Sequence, residues 1–236
     1  MFHLRFSTTF SIVLMTLAFL SLPLAAFSNK VDSAIIDHGP RNSSKIALTF
    51  DACPTNLANE FDEKVIDILI RERVPATLFL SGKWVERNIE NVKLLASHPQ
   101  FEIASHGYHH SHMTKQTDEQ VMRELKQAQN IIKKATGKTP RYFRAPYAEA
   151  DERLAMLASA MSLSTIQYDI ASGDPDPHLT TRKIIRYVLK ESKNGSIIVF
   201  HMNNRGVHTA VILSEIINGL RGKGFTLVTV QDLLAR

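Results

Sequence analysis

The 236-residue chain contains one cysteine, Cys53, and one tryptophan. A single cysteine excludes an internal disulfide, so the stability of the fold must come from a hydrophobic core. The chain also lacks the Gly-x-Gly-x-x-Gly and Walker loops that cradle phosphates and the Gly-x-Ser-x-Gly turn of serine hydrolases. It has no internal repeat, no low-complexity tract and no cluster of basic and aromatic residues. These absences argue against nucleotide-binding, serine-hydrolase, repeat and nucleic-acid-binding proteins.

The composition is that of a globular domain. Hydrophobic residues make up 44% and charged residues 22% of the chain, and the formal net charge is +5. Both fractions are close to the averages for folded proteins. The length suits a single α/β domain, because α/β barrels of about 200 to 250 residues are common.

The first 28 residues differ from the rest, because one charged residue, Arg5, precedes a long apolar stretch that ends in Ala-Phe-Ser. This pattern predicts a secretory signal peptide, with an uncleaved N-terminal membrane anchor as the alternative. The protein is therefore expected to be secreted or periplasmic, and to contact a membrane only through this segment if it is uncleaved. The predicted organisation is a signal peptide or anchor at 1–28, a polar linker at 29–44 and one catalytic domain at 45–236.

From residue 45 onward, short apolar runs alternate with segments of helical periodicity. Strands are predicted at 46–50, 76–80, 101–104, 141–143, 164–170, 196–200 and 225–230. Helices are predicted at 57–70, 84–96, 117–136, 152–160, 181–190 and 207–221. This alternation predicts a parallel sheet with helices outside it.

Several of the predicted strands are followed by a residue capable of acid-base or metal chemistry, namely Asp51, His106, Arg144, Asp174 and His201. Side chains just past the ends of parallel barrel strands converge on one face, so these residues are expected to share a pocket. Taken singly, Asp51 could cap a turn, Arg144 could be an ion-pair partner and Asp174 a turn residue. His201 lies at the mouth of a strongly apolar strand, where an imidazole is suited to proton transfer near neutral pH.

A second histidine, His110, follows His106 by four positions in Ser-His-Gly-Tyr-His-His. This spacing predicts two imidazoles on one side of a helical turn, where they can share a metal ion. A surface pair without a metal is the alternative. The zinc-protease pattern His-Glu-x-x-His has the same spacing, but Gly107 stands where its general base would be.

Jointly, these segments resemble the five motifs of the polysaccharide deacetylase family, the NodB-homology domain of carbohydrate esterase family 4. The resemblance covers nearly all of the chain from Lys45 to Leu234. The segments that carry it are Thr49-Phe50-Asp51-Ala52, Ser105-His106-Gly107-Tyr108-His109-His110, Arg144-Ala145-Pro146-Tyr147, the acid Asp174 of the loosest motif, and Ile198-Val199-Phe200-His201.

The resemblance implies an α/β fold, a distorted (β/α)7 barrel, and metal-dependent removal of N-acetyl groups from a sugar polymer. His106 and His110 would bind a divalent metal, with zinc expected and cobalt or nickel as alternatives. A bound divalent ion would lower the pKa of water and polarise the acetamide carbonyl.

The family's catalytic roles are expected to map onto five other residues. Asp51 would accept the proton of the attacking water, and His201 would protonate the departing amine. The backbone N–H of Tyr147 would stabilise the oxyanion. Arg144 would hold Asp51 in place, and Asp174 would orient His201.

The chain departs from the family pattern at Ala52, where the common type has a second aspartate as the third metal ligand. Three outcomes are open. The ion is held by the two histidines with water or Asp51, or Cys53 or His109 substitutes, or the metal site is lost. The soft thiolate of Cys53 would favour zinc.

The leading interpretation is a metal-dependent hydrolase that removes N-acetyl groups from an amino-sugar glycan of the cell envelope or outside the cell, either peptidoglycan or a chitin-like polymer. The partner is therefore an N-acetylated glycan, with no nucleic acid, and the motifs do not bear on the oligomeric state. One alternative is a non-catalytic glycan-binding protein that lost its metal site. Another is an amidase or esterase that acts on a different acyl substrate.

Overall fold

The protein is described by a computed structural model that covers residues 1–3, 34–57 and 59–235. The chain divides into two units, Met1–Lys30 and Val31–Arg236. The predicted signal peptide, apart from residues 1–3, lies outside the described residues. No helix among the described residues has the length and hydropathy of a membrane span.

The larger unit contains one sheet whose named strands all pair in parallel. The strands are β1 (Ile35–Ile36), β2 (Lys45–Ala52), β3 (Ala76–Leu80), β4 (Phe101–Ser105), β5 (Tyr142–Phe143), β6 (Ser164–Ile166), β7 (Ile170–Ala171), β8 (Ile197–His201) and β9 (Thr226–Val228). Their order is β1-β6-β5-β4-β3-β2-β8-β7, and β9 pairs with the beginning of β2. The long strand β2 is therefore at the centre of the sheet.

Helices connect the strands as parallel pairing requires. They are α1 (Glu63–Arg71), α2 (Gly82–Arg87), α3 (Ile89–Ser97), α4 (Asp118–Thr136), α5 (Glu152–Ala160), α6 (Thr181–Glu191), α7 (Thr209–Gly222) and α8 (Val230–Leu234). The longest, α4, begins with a reciprocal capping box between Thr117 and Gln120 and ends at Gly137 in the left-handed conformation.

β6 and β7 lie near opposite ends of the strand order, although only three residues separate them in the chain. The sheet must therefore curl, so that its two edges come close together. The segment that begins with β1 bridges the two sides. Ile35–Ile36 pairs with β6, and His38 then forms an antiparallel bridge with Ser196, directly before β8. The result is a distorted barrel whose strand ends face a common opening.

Two apolar layers follow from the alternation of side chains along the strands. On β2, Ile46, Leu48, Phe50 and Ala52 belong to the large core between sheet and helices. Ala47 belongs instead to a smaller cluster with Phe79 of β3 and Ala104 of β4, inside the curve of the sheet. Thr49 and Asp51 continue the inner row, so Asp51 faces the interior at the carboxyl end of the central strand.

The predicted α/β barrel class is confirmed, and the strand at 76–80 and the helix at 152–160 have the predicted bounds. The predicted linker at 29–44 is corrected over its described part, because β1 belongs to the sheet. Its brief apolar pair, Ile35 and Ile36, is too short to show a strand period in the sequence.

Four other predicted elements differ. The helix predicted from Leu57 begins only at Glu63, because the Asp62 carboxylate caps it by accepting the N–H of Val65. The helix predicted at 84–96 is two helices, because Asn88 leaves the helical conformation and its side chain donates to the Trp84 carbonyl. The extended run 164–170 is divided into β6 and β7, and Thr229 ends β9 by capping α8.

Candidate active site

A cavity of about 280 Å³ opens at the carboxyl ends of the strands. All seven residues predicted for the site line it: Asp51, His106, His110, Arg144, Tyr147, Asp174 and His201. A larger depression of about 620 Å³ includes Phe101, the first residue of β4, and contains none of the seven. The sequence prediction that scattered strand-end residues share one pocket therefore agrees with the geometry.

A buried ion pair positions Asp51. One Arg144 nitrogen, Nη1, donates to Asp51 Oδ1 at 2.7 Å and to Thr49 Oγ1 at 2.9 Å, and Nη2 donates to the Gln167 carbonyl at 3.1 Å. Arg144 is only 1% exposed, and its guanidinium carbon lies 4.0 Å from the centre of the Phe79 ring. Burial alone would raise the pKa of Asp51, but the charge and hydrogen bond of Arg144, with the charge of His201, outweigh it and lower that pKa. Asp51 is therefore an ionised carboxylate at neutral pH.

His106 presents one ring nitrogen to the cavity. Its Nδ1 lies 2.8 Å from the Arg144 carbonyl oxygen, which can only accept a hydrogen bond, so Nδ1 must carry the proton. The lone pair is then on Nε2, which lies 3.7 Å from Asp51 Oδ2. Burial lowers the pKa of His106, so the ring is neutral. A neutral imidazole whose Nδ1 donates to a carbonyl is the usual form of a metal ligand.

His110 lies beside this ring, but not through the predicted helical turn. The segment between β4 and the short 3-10 helix Met113–Lys115 is a loop, in which Gly107 has φ of 71° and His110 has φ of 59°. These left-handed residues turn the chain so that the two imidazole centroids lie 4.9 Å apart. Burial and the neighbouring His106 lower the pKa of His110 to about 3. Both imidazoles are thus neutral and suited to a divalent metal.

Tyr147 forms the outer wall of the cavity beside His110. It lies in the 3-10 turn Pro146–Ala148, with φ of 59°, and its side chain is 49% exposed. Its ring stacks on His112 at 4.2 Å and meets the ring of His110 at 4.6 Å. The turn begins two residues after Arg144, so the same short segment supplies a buried cation and an exposed aromatic wall.

His201 and Asp174 face the cavity from the other side. His201 Nδ1 lies 3.1 Å from Asp174 Oδ1, and the His201 backbone N–H donates to Oδ2 at 2.8 Å. Asp174 is further fixed by the hydroxyls of Ser172, at 2.8 Å, and Thr209, at 2.5 Å. Burial alone would lower the pKa of His201, but the hydrogen bond and charge of Asp174 outweigh it and raise that pKa. This imidazole is therefore biased toward its protonated form.

The sequence left open whether a third metal ligand exists, because Ala52 replaces the usual aspartate. Neither Ala52 nor the two candidate substitutes, Cys53 and His109, supplies that ligand in this geometry. Ala52 is fully buried in the helix-side core. Cys53 is buried, burial raises the pKa of its thiol, and Asn203 donates to its carbonyl oxygen at 2.7 Å. His109 is exposed, and its ring packs against Tyr108. Within the described ranges, no group of three or more His, Cys, Asp or Glu side chains is arranged to hold a metal.

Sequence reasoning missed several residues that build the site. Thr49 supports Arg144, Ser172 and Thr209 support Asp174, and Tyr168 and Arg205 line the cavity. Only Thr49 had a signal in the sequence, since it lies two positions before Asp51 on the same face of a strand. The contact of Ser172 with Asp174 is local but belongs to no recognisable pattern, and Thr209, Tyr168 and Arg205 reach the site through the tertiary fold.

Comparison with known proteins shows which family the chain resembles. The family profile described as polysaccharide deacetylase matches residues 38–166. A bifunctional xylanase/deacetylase of Pseudobutyrivibrio xylanivorans is 30% identical over 193 residues, which are 82% of this chain and 31% of that protein. The chain spans 54% of the length of a second curated relative.

Solved structures share the fold. The peptidoglycan N-acetylglucosamine deacetylase Bc1960 is 28% identical, with a TM-score of 0.78 over 85% of this chain and 92% of that one. A carbohydrate esterase family 4 pseudoenzyme from Bacillus anthracis is 23% identical and also has a TM-score of 0.78, over 86% of this chain and 69% of that one. The profile covers more than half of the sequence, and on that basis the chain belongs to the polysaccharide deacetylase family.

Proposed function

We propose that the protein is a metal-dependent hydrolase that removes N-acetyl groups from an amino-sugar glycan. One observation carries this proposal. An ionised carboxylate, Asp51, and a proton-bearing imidazole, His201, face the same cavity as two neutral imidazoles, His106 and His110. A base, an acid and a ligand pair are the groups that metal-assisted amide hydrolysis needs.

The donor set fits a divalent ion, with zinc favoured by two imidazole ligands and cobalt or nickel as alternatives. His106 Nε2 and a ring nitrogen of His110 would hold it. When bound, the ion would lower the pKa of a water molecule and polarise the acetamide carbonyl. Because neither Ala52, Cys53 nor His109 offers a ligand beside the pair in the part of the chain that the structure describes, water or Asp51 would complete the coordination.

The chain's own residues account for both proton transfers. Asp51, held by Arg144, accepts a proton from the attacking water, whose oxygen bonds to the acetyl carbon. The carbonyl oxygen becomes an oxyanion, to which the backbone N–H of Tyr147 donates. His201, held by Asp174, gives its proton to the amide nitrogen as the carbon–nitrogen bond breaks. The products are acetate and a free amino sugar.

The substrate we propose is peptidoglycan rather than an uncharged chitin-like polymer. Bc1960 is named as a peptidoglycan N-acetylglucosamine deacetylase, and a 27%-identical relative from Bacillus subtilis as a peptidoglycan-N-acetylmuramic acid deacetylase. Arg205 supports this choice, because it is exposed and lines the cavity, with the thiol of Cys53 as a neighbour. An exposed cation at the cavity favours a polymer that carries carboxylates.

Acetate release from peptidoglycan fragments and from chitin oligomers tests the proposal. Release should stop with a chelator, return with zinc or cobalt, and favour the peptidoglycan fragments. Arg205→Gln should reduce that preference by about 2- to 5-fold, since an exposed ion pair contributes up to about 1 kcal/mol. Arg182→Gln, on the exposed side of α6, is the matched control. Absence of acetate release from every glycan, with metal bound, would refute deacetylase activity.

Ala52 favours one second candidate, a glycan-binding protein that has lost metal-dependent catalysis. In that case the same fragments should bind the cavity without acetate being released, with or without added metal. Binding measured beside acetate release on one sample distinguishes the two functions.

For its location we propose export through residues 1–28, with the domain acting in the cell envelope or outside the cell. Fractionation of producing cells, with mass spectrometry of the mature N-terminus, tests this. A domain recovered only from the cytoplasm would refute export, and an intact N-terminus in the membrane fraction would indicate an anchor.

A further inference from the structure

The loop that carries His110 is bound to a carboxylate with no role in the proposed chemistry. Glu124 lies on α4, is 5% exposed, and projects toward the loop. Its Oε2 accepts the backbone N–H groups of Tyr108 and His109, each at 2.9 Å. Its Oε1 accepts the Ser111 hydroxyl at 2.8 Å. These donors come from residues on both sides of His110.

The opposite side of the loop is bound to the beginning of α2. The N–H of Gly82 donates to the Gly107 carbonyl, and the N–H of Lys83 donates to the Tyr108 carbonyl, each at 2.9 Å. The loop is therefore clamped between two helices through its backbone. This matters because His110 has a left-handed backbone conformation, which is unfavourable for a residue with a Cβ and persists only where the surroundings fix it.

Packing alone does not explain a carboxylate at position 124. The buried face of α4 is otherwise mainly apolar, with Val121, Leu125 and Ala128 around this residue. An ionised side chain is costly to bury there unless its oxygens are satisfied. The hydrogen bonds found for Glu124 all go to the loop that carries His110. The carboxylate thus contributes to the geometry of the loop rather than to the core.

We infer that Glu124 is a positioning residue that fixes the imidazole of His110 relative to that of His106. This inference rests on the proposed function, in which the two imidazoles bind a divalent metal. Without the carboxylate, the loop would relax toward ordinary backbone conformations and the imidazole pair would be less well arranged for a metal. Metal affinity, rather than the proton-transfer groups, is the property that should change.

The test compares Glu124→Met with Gln129→Met in the full-length protein. Gln129 is a matched control because it is a buried polar residue of the same helix, 8% exposed, whose side chain donates to the Met161 carbonyl at 3.1 Å, far along the chain from the histidine loop. Zinc and cobalt affinities are measured by competition with a chromophoric chelator. Backbone amide hydrogen exchange of residues 106–112 is measured on the metal-free protein.

Glu124→Met should weaken metal affinity by at least about 10-fold, the lower range for residues that orient metal ligands. It should also accelerate exchange of the Tyr108 and His109 amides by at least about 10-fold, because those N–H groups lose their acceptor. Gln129→Met should lower Tm while leaving metal affinity within about 2-fold of wild type. Wild-type affinity and wild-type exchange in folded Glu124→Met would overturn the inference.

If Glu124→Met does not fold, Glu124→Asp and Glu124→Gln decide the question. Aspartate keeps the charge but falls short of the loop, whereas glutamine keeps the reach and one acceptor oxygen. Positioning through hydrogen bonds predicts weaker metal binding in the aspartate variant than in the glutamine variant, and equal affinities would contradict it. A wild-type protein that binds neither ion would refute the proposed metal chemistry, while the exchange comparison would still decide whether Glu124 anchors the loop.

Discussion

Two pairs of imidazole and carboxylate face each other across the cavity, and they are built differently. In the pair of His201 and Asp174, the ring nitrogen lies 3.1 Å from a carboxylate that also accepts two hydroxyls and a backbone N–H. In the pair of His106 and Asp51, the shortest ring-to-carboxylate distance is 3.7 Å, and Asp51 Oδ1 is engaged by Arg144 instead. We call the pair of His201 and Asp174 the complete pair, because its ring and carboxylate bond to each other. The pair of His106 and Asp51 is the open pair, because it leaves a ring nitrogen and a carboxylate oxygen facing open space.

The difference has opposite consequences for the two imidazoles. His106 is buried and His201 is half-buried, and loss of contact with water lowers the pKa of any imidazole. His106 follows that trend, whereas the direct bond to Asp174 reverses it and raises the pKa of His201. The same two residue types therefore yield a neutral ring suited to a metal and a protonated ring suited to an acid. The direct hydrogen bond to Asp174 distinguishes His201 from His106, which is more deeply buried and lies beside the charge of Arg144.

The largest effect is expected when the proposed base of one pair or the proposed acid of the other is removed. Asp51→Asn should lower turnover at least ~100-fold, because an amide cannot accept the proton from water, and His201→Ala should do so because no acid remains for the amine. Acetate release at saturating substrate measures both variants, with circular dichroism as the check on folding. A near-normal rate in either variant would remove that residue from the mechanism.

Breaking the complete pair should have the next largest effect. Asp174→Asn removes the main charge that raises the pKa of His201, so burial would then lower that pKa relative to its value in the wild type. His201 acts in its protonated form, so activity is present below its pKa and is lost as pH rises through it. The alkaline limb of the kcat profile should therefore move to lower pH, with turnover at pH 7 reduced by about 10- to 100-fold.

Asp176→Asn is the matched control for this change, because Asp176 belongs to the same loop and its carboxylate accepts the His178 backbone N–H. Its pH profile should coincide with that of the wild type. An alkaline limb that stays in place in Asp174→Asn would mean that another group limits the reaction at high pH.

The open pair can be tested by adding a ligand. Ala52→Asp places a carboxylate where the common family pattern has one, and metal affinity should rise about tenfold or more if a ligand is lacking. Ala52 belongs to the helix-side core, so an aspartate that fails to reach the metal would be buried among apolar side chains. Metal-free Tm should fall and zinc should restore it. Unchanged metal affinity would mean that the third ligand is already supplied elsewhere.

The sequence predicted the cavity because its seven residues follow strands, and parallel strands bring their carboxyl ends together. Asp51 faces inward because alternation along β2 places Ala47, Thr49 and Asp51 on one side. Both ends of α4 could also be predicted, because Thr117 and Gly137 are residues that cap helices through contacts within their own segment. Features with a local period or a local cap were therefore predictable.

Other features depend on contacts between distant parts of the chain. His106 and His110 were expected on a helical turn, but backbone contacts to Gly82, Lys83 and Glu124 stabilise a left-handed loop there. Spacing alone cannot show that alternative, because a four-residue interval fits both a helix and a tight loop. Likewise, Thr209 meets Asp174 only after β8 and α7 are in place.

Ser172→Ala is the smallest expected change and the sharpest test of the complete pair. Asp174 loses one hydroxyl donor but keeps the Thr209 hydroxyl and the His201 N–H, so turnover should fall no more than ~3-fold and stability by about 1 kcal/mol. Without the Ser172 hydroxyl, His201 Nδ1 is the remaining hydrogen-bond partner of Asp174 Oδ1, and the hydrogen bond between them should strengthen. The alkaline limb should therefore stay in place or move slightly to higher pH, opposite to Asp174→Asn. A shift to lower pH would show that Ser172 orients the carboxylate, and that charge alone does not set the pKa of His201.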